Sequence, residues 1–541
     1  MSSLLRQISG SGLGITLLIL VLMSVLYGNI GVLDSNPDAV HAWRQSDCLS
    51  ITDNYFDNGM VFSEPAIHNY ISEGGKSGKT AGEFPGYYYV QAAIWKVFGK
   101  SEFSYRFTTA FLFLLGLLAL QQTVFLLFRN RFWSVGAAVF LYTAPALAYY
   151  GFGFLSNIPA LSFALIGAWF FTKYFVEQKF KWVWYSALFF AVAGLLKVTA
   201  LLIYCTLGAL WLLELLGVNM GVGRKVFERP LRFIFPFALV LIPNFIWYSW
   251  AADYNATFGG KYTFNDLWPI WEADADYRAW LYDEVRKFTA RQIFAPVTWI
   301  LMLVSFVFVM VQGIRKRIPN LVWMGLLILF VGSFVYAILW FQAWKDHDYY
   351  FLNVYALPAA IWIAVGYTLH FSWDKMKPTL HAGLIGFGVV FMGYNVWYCQ
   401  EHLTLRYNPN PEHDYLTAAD EEEGHLKYLW WDYGRHEQAL ETIDAHLDSI
   451  GVSDEDLVIS IPDASFCITL YAMDRKGFTN MGDQNRDEES IQRHIDLGAN
   501  FLILNEPEYE KEFPFVVPFM EHPLPGYENI RIFDLRPYRE L

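Results

Sequence analysis

The sequence has 541 residues, of which 55% are hydrophobic, 18% are aromatic and only 17% are charged. Soluble proteins contain about 25% charged residues, so this composition excludes an ordinary soluble protein and indicates a chain that lies in a lipid bilayer. The formal net charge is −13, and the acidic excess falls after residue 400. This charge argues against nucleic acid as a partner, because phosphate groups attract clusters of Lys and Arg.

Hydrophobic segments long enough to cross a bilayer recur from Gly12 to about Trp397. The first follows Arg6 and has no small-residue cleavage site behind it, so we predict an uncleaved span with a cytoplasmic N-terminus. Gly194 and Lys197 interrupt the apolar run between 183 and 217. The length rule gives about eleven spans in all. After the first, they are centred near residues 116, 141, 167, 190, 208, 242, 304, 331, 360 and 389.

Short loops rich in Lys and Arg fall on alternate turns, and such loops are retained on the cytoplasmic side of a membrane. They are residues 128–132, 173–181, 223–232, 313–317 and 374–377. The pattern places the loops 32–104 and 252–294 outside an inner or plasma membrane, on the periplasmic face in a Gram-negative cell. Residues 1–400 are therefore predicted to form an α-helical polytopic membrane domain.

Residues 401–541 are predicted to form an acidic, extracytoplasmic, soluble α/β domain. "DLVISIP" and "NFLILN" have the composition of buried strands, and residues 436–450 and 488–497 have helical patterns.

The sequence indicates neither a disulfide framework nor a zinc site, because its cysteines are widely scattered and have no metal-type spacing. The four cysteines are Cys48, Cys205, Cys399 and Cys467.

The first outer loop contains "NPDAVHAWRQSDCLS" at residues 36–50. Its first three residues, Asn, Pro and Asp, suit a helix start, which predicts a helix from residue 36. His41, Arg44 and Asp47 would then follow at three-residue steps and share one face. The alternative is a solvated loop helix, in which an Arg44–Asp47 pair contributes little stability.

Two further stretches carry candidate residues. Lys197 lies among apolar residues near a helix break, and an intramembrane charge is a functional candidate unless it reaches the interface by snorkelling. In "WKDHDYYFLNVYALP" (344–358), Lys345 and His347 are predicted to bind an anion, while Tyr349 and Tyr350 line a lipid groove. The alternative use of this stretch is a divalent metal site, with Asp346, His347 and Asp348 as ligands.

These residues together predict an extracytoplasmic cavity for an anionic, lipid-embedded substrate. Such a cavity could transfer a group or translocate one. Its basic residues are Arg44, Arg106, Lys197 and Lys345, and its carboxylates are Asp47 and Glu83.

The order of several motifs resembles that of the GT-C polytopic glycosyltransferases, in particular the protein O-mannosyltransferases and the aminoarabinose transferases that modify lipid A. The motifs are "EFPGYYYVQAAIWKVFG", "SYRFTTAFLFLLGLLAL", "TAPALAYYGFGFLSNIPALSFAL", "AGLLKVTALL" and "HDYYFLNVYALPA". The resemblance covers about residues 10–400. It implies a polytopic transferase whose donor is a sugar on a polyprenyl phosphate.

The resemblance also implies roles for individual residues. The family's first outer loop supplies the catalytic acid, usually in an Asp-Glu pair, but here Arg44 and Gln45 stand at that place. The "HAWRQSD" variant resembles a bacterial subgroup whose acid follows the WRQ, which favours Asp47, with Asp34 and Asp38 as alternatives. Other matching or neighbouring residues are assigned by the same comparison: His41 and Glu83 to catalysis; Arg44, Arg106, Lys197 and Lys345 to the donor phosphate; and Trp43, Gln45, His347, Tyr349 and Tyr350 to the cavity and acceptor.

The expected reaction needs a base for an acceptor hydroxyl and positive charge for the departing phosphate. No cofactor or metal is obligatory, and the sequence has neither a Walker loop nor a dinucleotide fingerprint. The acceptor could be a cell-envelope glycan, a lipid or a protein. The competing interpretations are a lipid-linked-sugar flippase or transporter, which should show inverted repeats, an oligosaccharide ligase or polymerase, and a membrane-anchored scaffold.

Overall fold

The computed structural model describes residues 12–260, 267–345, 347–373, 377–410, 412–413, 415–482 and 484–539, with the backbone alone for 371–373. Arg6, Asp346 and residues 374–376 of the last predicted cytoplasmic loop lie outside the described residues. The described chain forms two compact units. The helical unit contains residues from 1–33, 107–247 and 265–423, and the mixed unit contains residues from 34–106, 248–264 and 424–541. The boundary at residue 400 stays a prediction.

Eight helices in the described chain are long and apolar enough to cross a membrane, and this confirms the predicted helical polytopic class. They are Glu102–Phe128, Asn157–Glu177, Val198–Leu215, Pro230–Phe258, Pro296–Ile314, Asn320–Leu339, Asp348–His370 and Pro378–Tyr407.

Three of the predicted spans are shorter or divided. Leu13–Leu26 and Lys181–Leu196 are apolar helices of 14 and 16 residues. The apolar run near residue 141 is divided into Arg131–Tyr142 and Pro145–Tyr150, because Pro145 has no backbone N–H to continue a helix and instead occupies the first turn of the next one.

Lys197 lies at the helix break that the sequence predicts. The helix Lys181–Leu196 ends immediately before it, and Lys197 itself is extended, with φ −160° and ψ 114°. A 3₁₀ turn, Val198–Leu201, and the helix Leu202–Leu215 follow. Lys197 therefore lies in the short break between two helical segments.

Short helices connect the longer ones in both units. Those before residue 400 are Ala42–Asp57, Gly86–Phe98, Ile270–Glu272, Ala275–Glu284, Val285–Thr289, Ala290–Ile293 and Phe341–Lys345. Those after it are Asp420–His436, Gln438–Thr442, Asp444–Ser449, Ile468–Ala472, Glu488–Asp496, Tyr509–Glu512, Pro514–Phe519 and Arg536–Tyr538.

The mixed unit contains a five-stranded sheet in the order β2-β1-β3-β5-β4. Strands β1, β2 and β3 are parallel, β5 is antiparallel to β3, and β4 and β5 form an antiparallel pair. The strands are β1 Leu457–Ile461, β2 Lys476–Phe478, β3 Ala499–Leu504, β4 Pro523–Tyr527 and β5 Ile530–Asp534. The two strands predicted from "DLVISIP" and "NFLILN" are thus confirmed as β1 and β3.

Both faces of this sheet are covered by apolar side chains. Val458, Phe501 and Ile503 belong to one buried cluster, and their neighbours Ile459 and Leu502 belong to the other. This alternation follows from the two-residue period of a strand. Parallel strands covered on both faces form nearly continuous apolar runs, which is why the sequence identified them.

One of the two predicted tail helices is confirmed and the other is wrong. Glu488–Asp496 is a helix with a capping box, in which Asp487 accepts a hydrogen bond from the Ser490 N–H. Residues 436–450 do not form one helix: a 3₁₀ turn, Gln438–Thr442, precedes the short helix Asp444–Ser449. The apolar positions that suggested a helix are nevertheless buried under the sheet.

The helix predicted to start at residue 36 starts later, at Ala42. An N-cap carbonyl normally accepts the first bond within the helix, whereas the carbonyls of Ser35 and Asn36 accept hydrogen bonds from the Arg106 guanidinium, at 3.0 and 2.8 Å. His41 takes the N-cap position with φ 54°. The helix Ala42–Asp57 is called the first-loop helix below.

Within the mixed unit, the first loop is bonded to the edge of the sheet. The N–H of Tyr70 donates to the carbonyl of Gly477 in β2, at 2.7 Å, and the N–H of Gly477 donates to the carbonyl of His68, at 3.1 Å. The Asn255 side chain forms two hydrogen bonds of 2.8 Å with the backbone of Ala81. Three separate parts of the chain therefore fold together in this unit.

A buried carboxylate of the first-loop helix provides a further connection. Asp53 is fully buried and accepts a hydrogen bond of 2.8 Å from the Lys100 ammonium, which also bonds Asp474 at 2.9 Å. The His68 ring lies 3.3 Å from the same Asp53 carboxylate. Burial alone would raise the pKa of Asp53, but the His68 hydrogen bond and the Lys100 charge outweigh it and hold this pKa below its usual value.

The substitution Lys100→Met should lower the free energy of unfolding by about 2 kcal/mol, because it leaves the Asp53 charge buried with fewer partners. A lowered carboxyl pKa contributes stability above the unfolded-state pKa, and that contribution is lost as the pH falls below it. The variant should therefore lose less stability than the wild type in acid. Thermal unfolding of the purified protein in detergent at several pH values measures both effects. Lys96→Met removes an exposed lysine nearby and is the control; an equal loss in that variant would contradict the account.

Candidate functional site

The mixed unit places Asp47 in a buried position on the first-loop helix, with 2% of its surface exposed. Its Oδ2 lies 3.9 Å from Nη1 of Arg44, and its Oδ1 accepts a hydrogen bond from the Cys467 thiol at 3.3 Å. Burial raises the pKa of Asp47 to about 7, although Arg44 and the thiol both act to lower it. A carboxyl group of this pKa can both accept and release a proton near neutral pH.

Arg44 makes its closest contact with Glu83. The Nη2 group donates to Oε1 of Glu83, which also accepts a hydrogen bond from the Tyr88 hydroxyl at 2.5 Å. Glu83 is buried, with 3% of its surface exposed. Burial alone would lower the pKa of Arg44, but the Glu83 charge, together with Cys48, Tyr88 and Asp47, outweighs it and raises that pKa above its usual value. The guanidinium is thus held between the two predicted catalytic carboxylates.

The other predicted residues of the opening stretch are placed at the start of this helix. His41 is the N-cap residue, and Gln45 is buried and donates from Nε2 to the carbonyl of Val40 at 3.1 Å. Trp43 is 40% exposed, and its ring contacts the edge of Phe466 at 5.9 Å between centroids. The indole of Trp43 is thus exposed enough to contact a ligand.

The alternative carboxylates differ from each other in their surroundings. Asp34 is exposed. Asp38 is half-buried, and burial raises its pKa to about 7, while the charge of Arg106 acts to lower it. Arg106 itself donates to two backbone carbonyls, as described above. Asp38 and Asp47 therefore each have a pKa of about 7.

Sequence reasoning missed several tail residues that surround Asp47. Besides Cys467, they include Asp463, which lies within electrostatic range of both Asp47 and Glu437. Burial, together with the charge of Asp463, raises the pKa of Glu437 to about 8. The carboxylate of Asp463 accepts hydrogen bonds from Ser465 and Thr469. These residues were missed because they lie far from the first loop in the sequence and belong to no local motif.

In the helical unit, the structure brings Lys197 to the His/Tyr motif. The Lys197 ammonium lies 5.6 Å from the centre of the Tyr350 ring, and the neighbouring Asn353 donates to Thr199 at 3.0 Å. The His347 ring lies 5.3 Å from that of Tyr349 and 5.5 Å from that of Tyr350. These residues were predicted from two separate motifs, and they form one cluster.

Lys345 also packs against an aromatic ring. Its ammonium lies 5.3 Å from the centre of the Trp280 ring. His347 Nδ1 is 3.1 Å from the carbonyl oxygen of Ala343, which fixes the orientation of the imidazole. The contact with Trp280 joins Lys345 to the second outer loop.

Asp348 belongs to a buried polar network. It is fully buried, it accepts a hydrogen bond of 2.7 Å from Tyr150, and it is paired with Arg406. Arg406 also donates to Gln292 at 2.5 Å. A buried pair of this kind is strongly destabilising to break, so the network fixes the backbone that carries His347.

Two groups of side chains among the described residues could hold a metal ion by the spacing of their ligand atoms: Asp53, His68 and Asp474, and Asp444, Asp448 and Asp454. Each group already surrounds a basic side chain. Lys100 bonds two members of the first, and Arg475 lies 2.7 to 2.9 Å from all three members of the second. An internal cation thus compensates the negative charge in both groups.

Residues 82–248, which include Glu83, Arg106 and Lys197, match the family model described as dolichyl-phosphate-mannose-protein mannosyltransferase. No curated protein matches the chain.

Three solved structures share the fold over nearly the whole chain. ArnT from Cupriavidus metallidurans in the apo state has a TM-score of 0.57 and 12% identity, over 96% of this chain and 99% of its own. The same protein bound to undecaprenyl phosphate has a TM-score of 0.55 and 11% identity, with the same coverage. The oligosaccharyltransferase of Archaeoglobus fulgidus in the apo form has a TM-score of 0.50 and 12% identity, over 95% of this chain and 74% of its own.

The family match and the shared fold thus confirm the resemblance that the motifs indicated: this chain is a multi-pass membrane protein with the fold of the GT-C polytopic glycosyltransferases.

Proposed function

We propose that the protein transfers a sugar from a polyprenyl-phosphate donor to an extracytoplasmic acceptor in the cell envelope. The observation that carries this proposal is the buried Asp47 carboxylate beside Arg44, with a pKa of about 7. The match to a family named for a dolichyl-phosphate sugar donor supports the donor class. So does the fold shared with a protein that was solved with undecaprenyl phosphate.

The proposed reaction is a single displacement. Asp47 accepts the proton of the acceptor hydroxyl, whose oxygen attacks the anomeric carbon of the donor sugar. The bond between that carbon and the phosphate oxygen breaks, and the polyprenyl phosphate leaves with the electron pair. This attack inverts the anomeric configuration.

Arg44 and Glu83 position the base in this proposal. Glu83 takes the closest bond of the guanidinium, while Nη1 of Arg44 lies 3.9 Å from Oδ2 of Asp47. Trp43 and Gln45 lie at the start of the same helix and are assigned to the acceptor, whereas His41, at its N-cap, is assigned to catalysis. Arg106 holds the backbone before that helix in addition to its proposed role toward the donor phosphate.

Lys197 is the residue proposed to bind the donor phosphate in the helical unit. Its ammonium stands at a helix interruption, 5.6 Å from the centre of the Tyr350 ring. Lys345 has the same relation to Trp280. An ammonium over an aromatic ring keeps its positive charge available to an anion, because the ring offers only a quadrupole.

The substitution Asp47→Asn should reduce turnover by about 10²–10⁴-fold, because the amide cannot accept the proton. Transfer of radiolabelled sugar from polyprenyl-phosphate donors to a cell-envelope extract measures this loss in purified protein. Asp34→Asn, which alters an exposed carboxylate, is the matched control and should retain activity. Normal turnover by Asp47→Asn, with loss in Asp38→Asn, would transfer the role of base to Asp38.

The rate should also depend on pH in a way that identifies Asp47. The base must be ionised, so kcat/KM should rise with pH through about 7 and level off above it. Cys467→Ala removes the hydrogen bond that lowers the pKa of Asp47, so the rising limb should move to higher pH. The pH profile of Cys205→Ala, an exposed cysteine, serves as the control. A limb that stays in place in Cys467→Ala would contradict this role for Asp47.

The substitution Lys197→Met keeps most of the apolar length of the side chain and removes its charge. A hydrogen bond to a charged group contributes about 1.5–3 kcal/mol, so the donor KM should rise roughly tenfold or more. Steady-state kinetics with varied donor measure the change. Lys173→Met removes a lysine that also packs on an aromatic ring, that of Trp182, and should leave the donor KM as it is. An unchanged KM in Lys197→Met would refute phosphate binding by this residue.

A further inference from the structure

A series of buried polar side chains leads away from Asp47 within the mixed unit. It consists of Asp47, Cys467, Ser50, His68 and Asp53, which are called the buried chain below. Each of these residues has at most 2% of its surface exposed. Bulk water therefore does not reach their polar groups directly.

The first half of the buried chain runs from a carboxylate to a hydroxyl. Oδ1 of Asp47 lies 3.3 Å from Sγ of Cys467, and the thiol has the Ser50 hydroxyl as a second side-chain hydrogen-bond partner. Burial raises the pKa of the Cys467 thiol well above its usual value, so the sulfur keeps its hydrogen. The thiol can thus accept a hydrogen bond at the sulfur and donate another from S–H.

The second half runs from the hydroxyl to a second carboxylate. Oγ of Ser50 lies 2.7 Å from Nδ1 of His68, and Nε2 of the same ring lies 3.3 Å from Oδ2 of Asp53. Asp53 stays ionised, because its pKa lies below the usual value, and a carboxylate can only accept. The imidazole hydrogen therefore lies on Nε2, and the lone pair on Nδ1 accepts from Ser50. The amide nitrogen of Asn54, a donor only, lies 3.4 Å from Nδ1 and agrees with this tautomer.

Once Asp47 is protonated, every donor of the buried chain can point away from it. While Asp47 is ionised, the Cys467 thiol donates to it. After Asp47 has taken a proton, its O–H can donate to the sulfur, and the thiol can turn to Ser50. One lone pair of Ser50 Oγ accepts from the backbone N–H of His68, at 2.9 Å, which leaves the other lone pair for the thiol. This order of donors is the one that a proton relay requires.

Neighbouring elements hold both ends of the buried chain. Cys467 immediately precedes the short helix Ile468–Ala472, and Tyr471 of that helix contacts the His68 ring edge-on, at 5.9 Å between centroids. At the far end, Lys100 bonds both Asp53 and the exposed Asp474. The buried chain thus begins at an enclosed carboxylate and ends beside solvent.

We propose that Cys467, Ser50 and His68 form a proton relay that returns the catalytic carboxylate to its ionised form after each transfer. The origin of the proton rests on the proposed function, whereas the hydrogen-bonded chain does not. The proton of the acceptor hydroxyl first bonds to Asp47. As it moves on to Cys467, the thiol hydrogen moves to Ser50, and the hydroxyl hydrogen moves to Nδ1 of His68. The thiol and the hydroxyl are restored, and an imidazolium remains that is paired with Asp53 and can release a proton to solvent at that end.

Single-turnover and steady-state rates distinguish a relay from a merely structural role. With enzyme in excess and in mildly alkaline buffer, the first transfer needs only ionised Asp47, so Ser50→Ala should perform it at the wild-type rate. In steady state, the variant must ionise Asp47 again without the relay, so kcat should fall about tenfold, with both KM values unchanged. Thr52→Val is the matched control. It alters another buried hydroxyl of the first-loop helix, one that donates to the Cys48 carbonyl at 2.9 Å, and should change neither rate.

A second variant keeps the hydrogen bonds and removes the proton transfer. The amide of His68→Gln can accept from Ser50 and donate to Asp53, but it cannot carry a proton. It should therefore reproduce the kinetics of Ser50→Ala, and the double variant should be no slower than either single one. Equal slowing of the first turnover and of the steady state, or an unchanged kcat in both variants, would overturn the relay. A wild-type protein that transfers no sugar would refute the proposed function instead.

Infrared spectroscopy tests the buried chain without any turnover. The S–H stretching band of Cys467, identified by its loss in Cys467→Ala, should shift with pH with a midpoint of about 7, as Asp47 titrates. This pH dependence should vanish in Asp47→Asn, and Ser50→Ala should move the band at every pH. The other charged groups that act on Asp47 are unchanged in these variants: Arg44, Glu83 and Asp463. A band that Ser50→Ala leaves in place would overturn the relay, even in a protein that transfers no sugar.

Discussion

The mixed unit depends on the burial of charged side chains along the first-loop helix. Asp47 and Asp53 are both buried to within 2%, and a buried charge destabilises a protein unless opposite charges and hydrogen bonds compensate it. For Asp53 the compensation comes from Lys100 and His68, and Asp474 completes the group. The first loop and the tail must therefore pack together for the helix to be stable in this position.

The same constraint has a different outcome at Asp47. Burial raises the pKa of Asp47 by more than Arg44 and the Cys467 thiol lower it, and Arg44 makes its closest bond with Glu83. The carboxyl group consequently titrates near pH 7, whereas the pKa of Asp53 lies below its usual range. The surroundings of two acids on one helix thus shift their pKa values in opposite directions.

The sequence predicted the features that neighbouring residues determine, and it missed those that depend on residues far apart in the chain. Hydropathy located the membrane helices, and the interruption at Lys197 was correct because a charge and a glycine act locally. Strands β1 and β3 were visible as continuous apolar runs. The helix start at Ala42 was missed because Arg106, far along the chain, holds the carbonyls that would have begun the helix earlier. The contact of Cys467 with Asp47 joins residues more than four hundred positions apart, and no periodic pattern can encode it.

The central claim is that this protein moves a sugar from its lipid carrier to an acceptor. The most direct measurement uses the purified protein in liposomes that contain radiolabelled polyprenyl-phosphate sugars, with a cell-envelope acceptor added, and follows the label in lipid and acceptor separately. The account predicts that the label leaves the lipid, appears in the acceptor and releases polyprenyl phosphate in equal amount. Label that stays on the lipid and crosses to the opposite leaflet would contradict it and would identify a transporter.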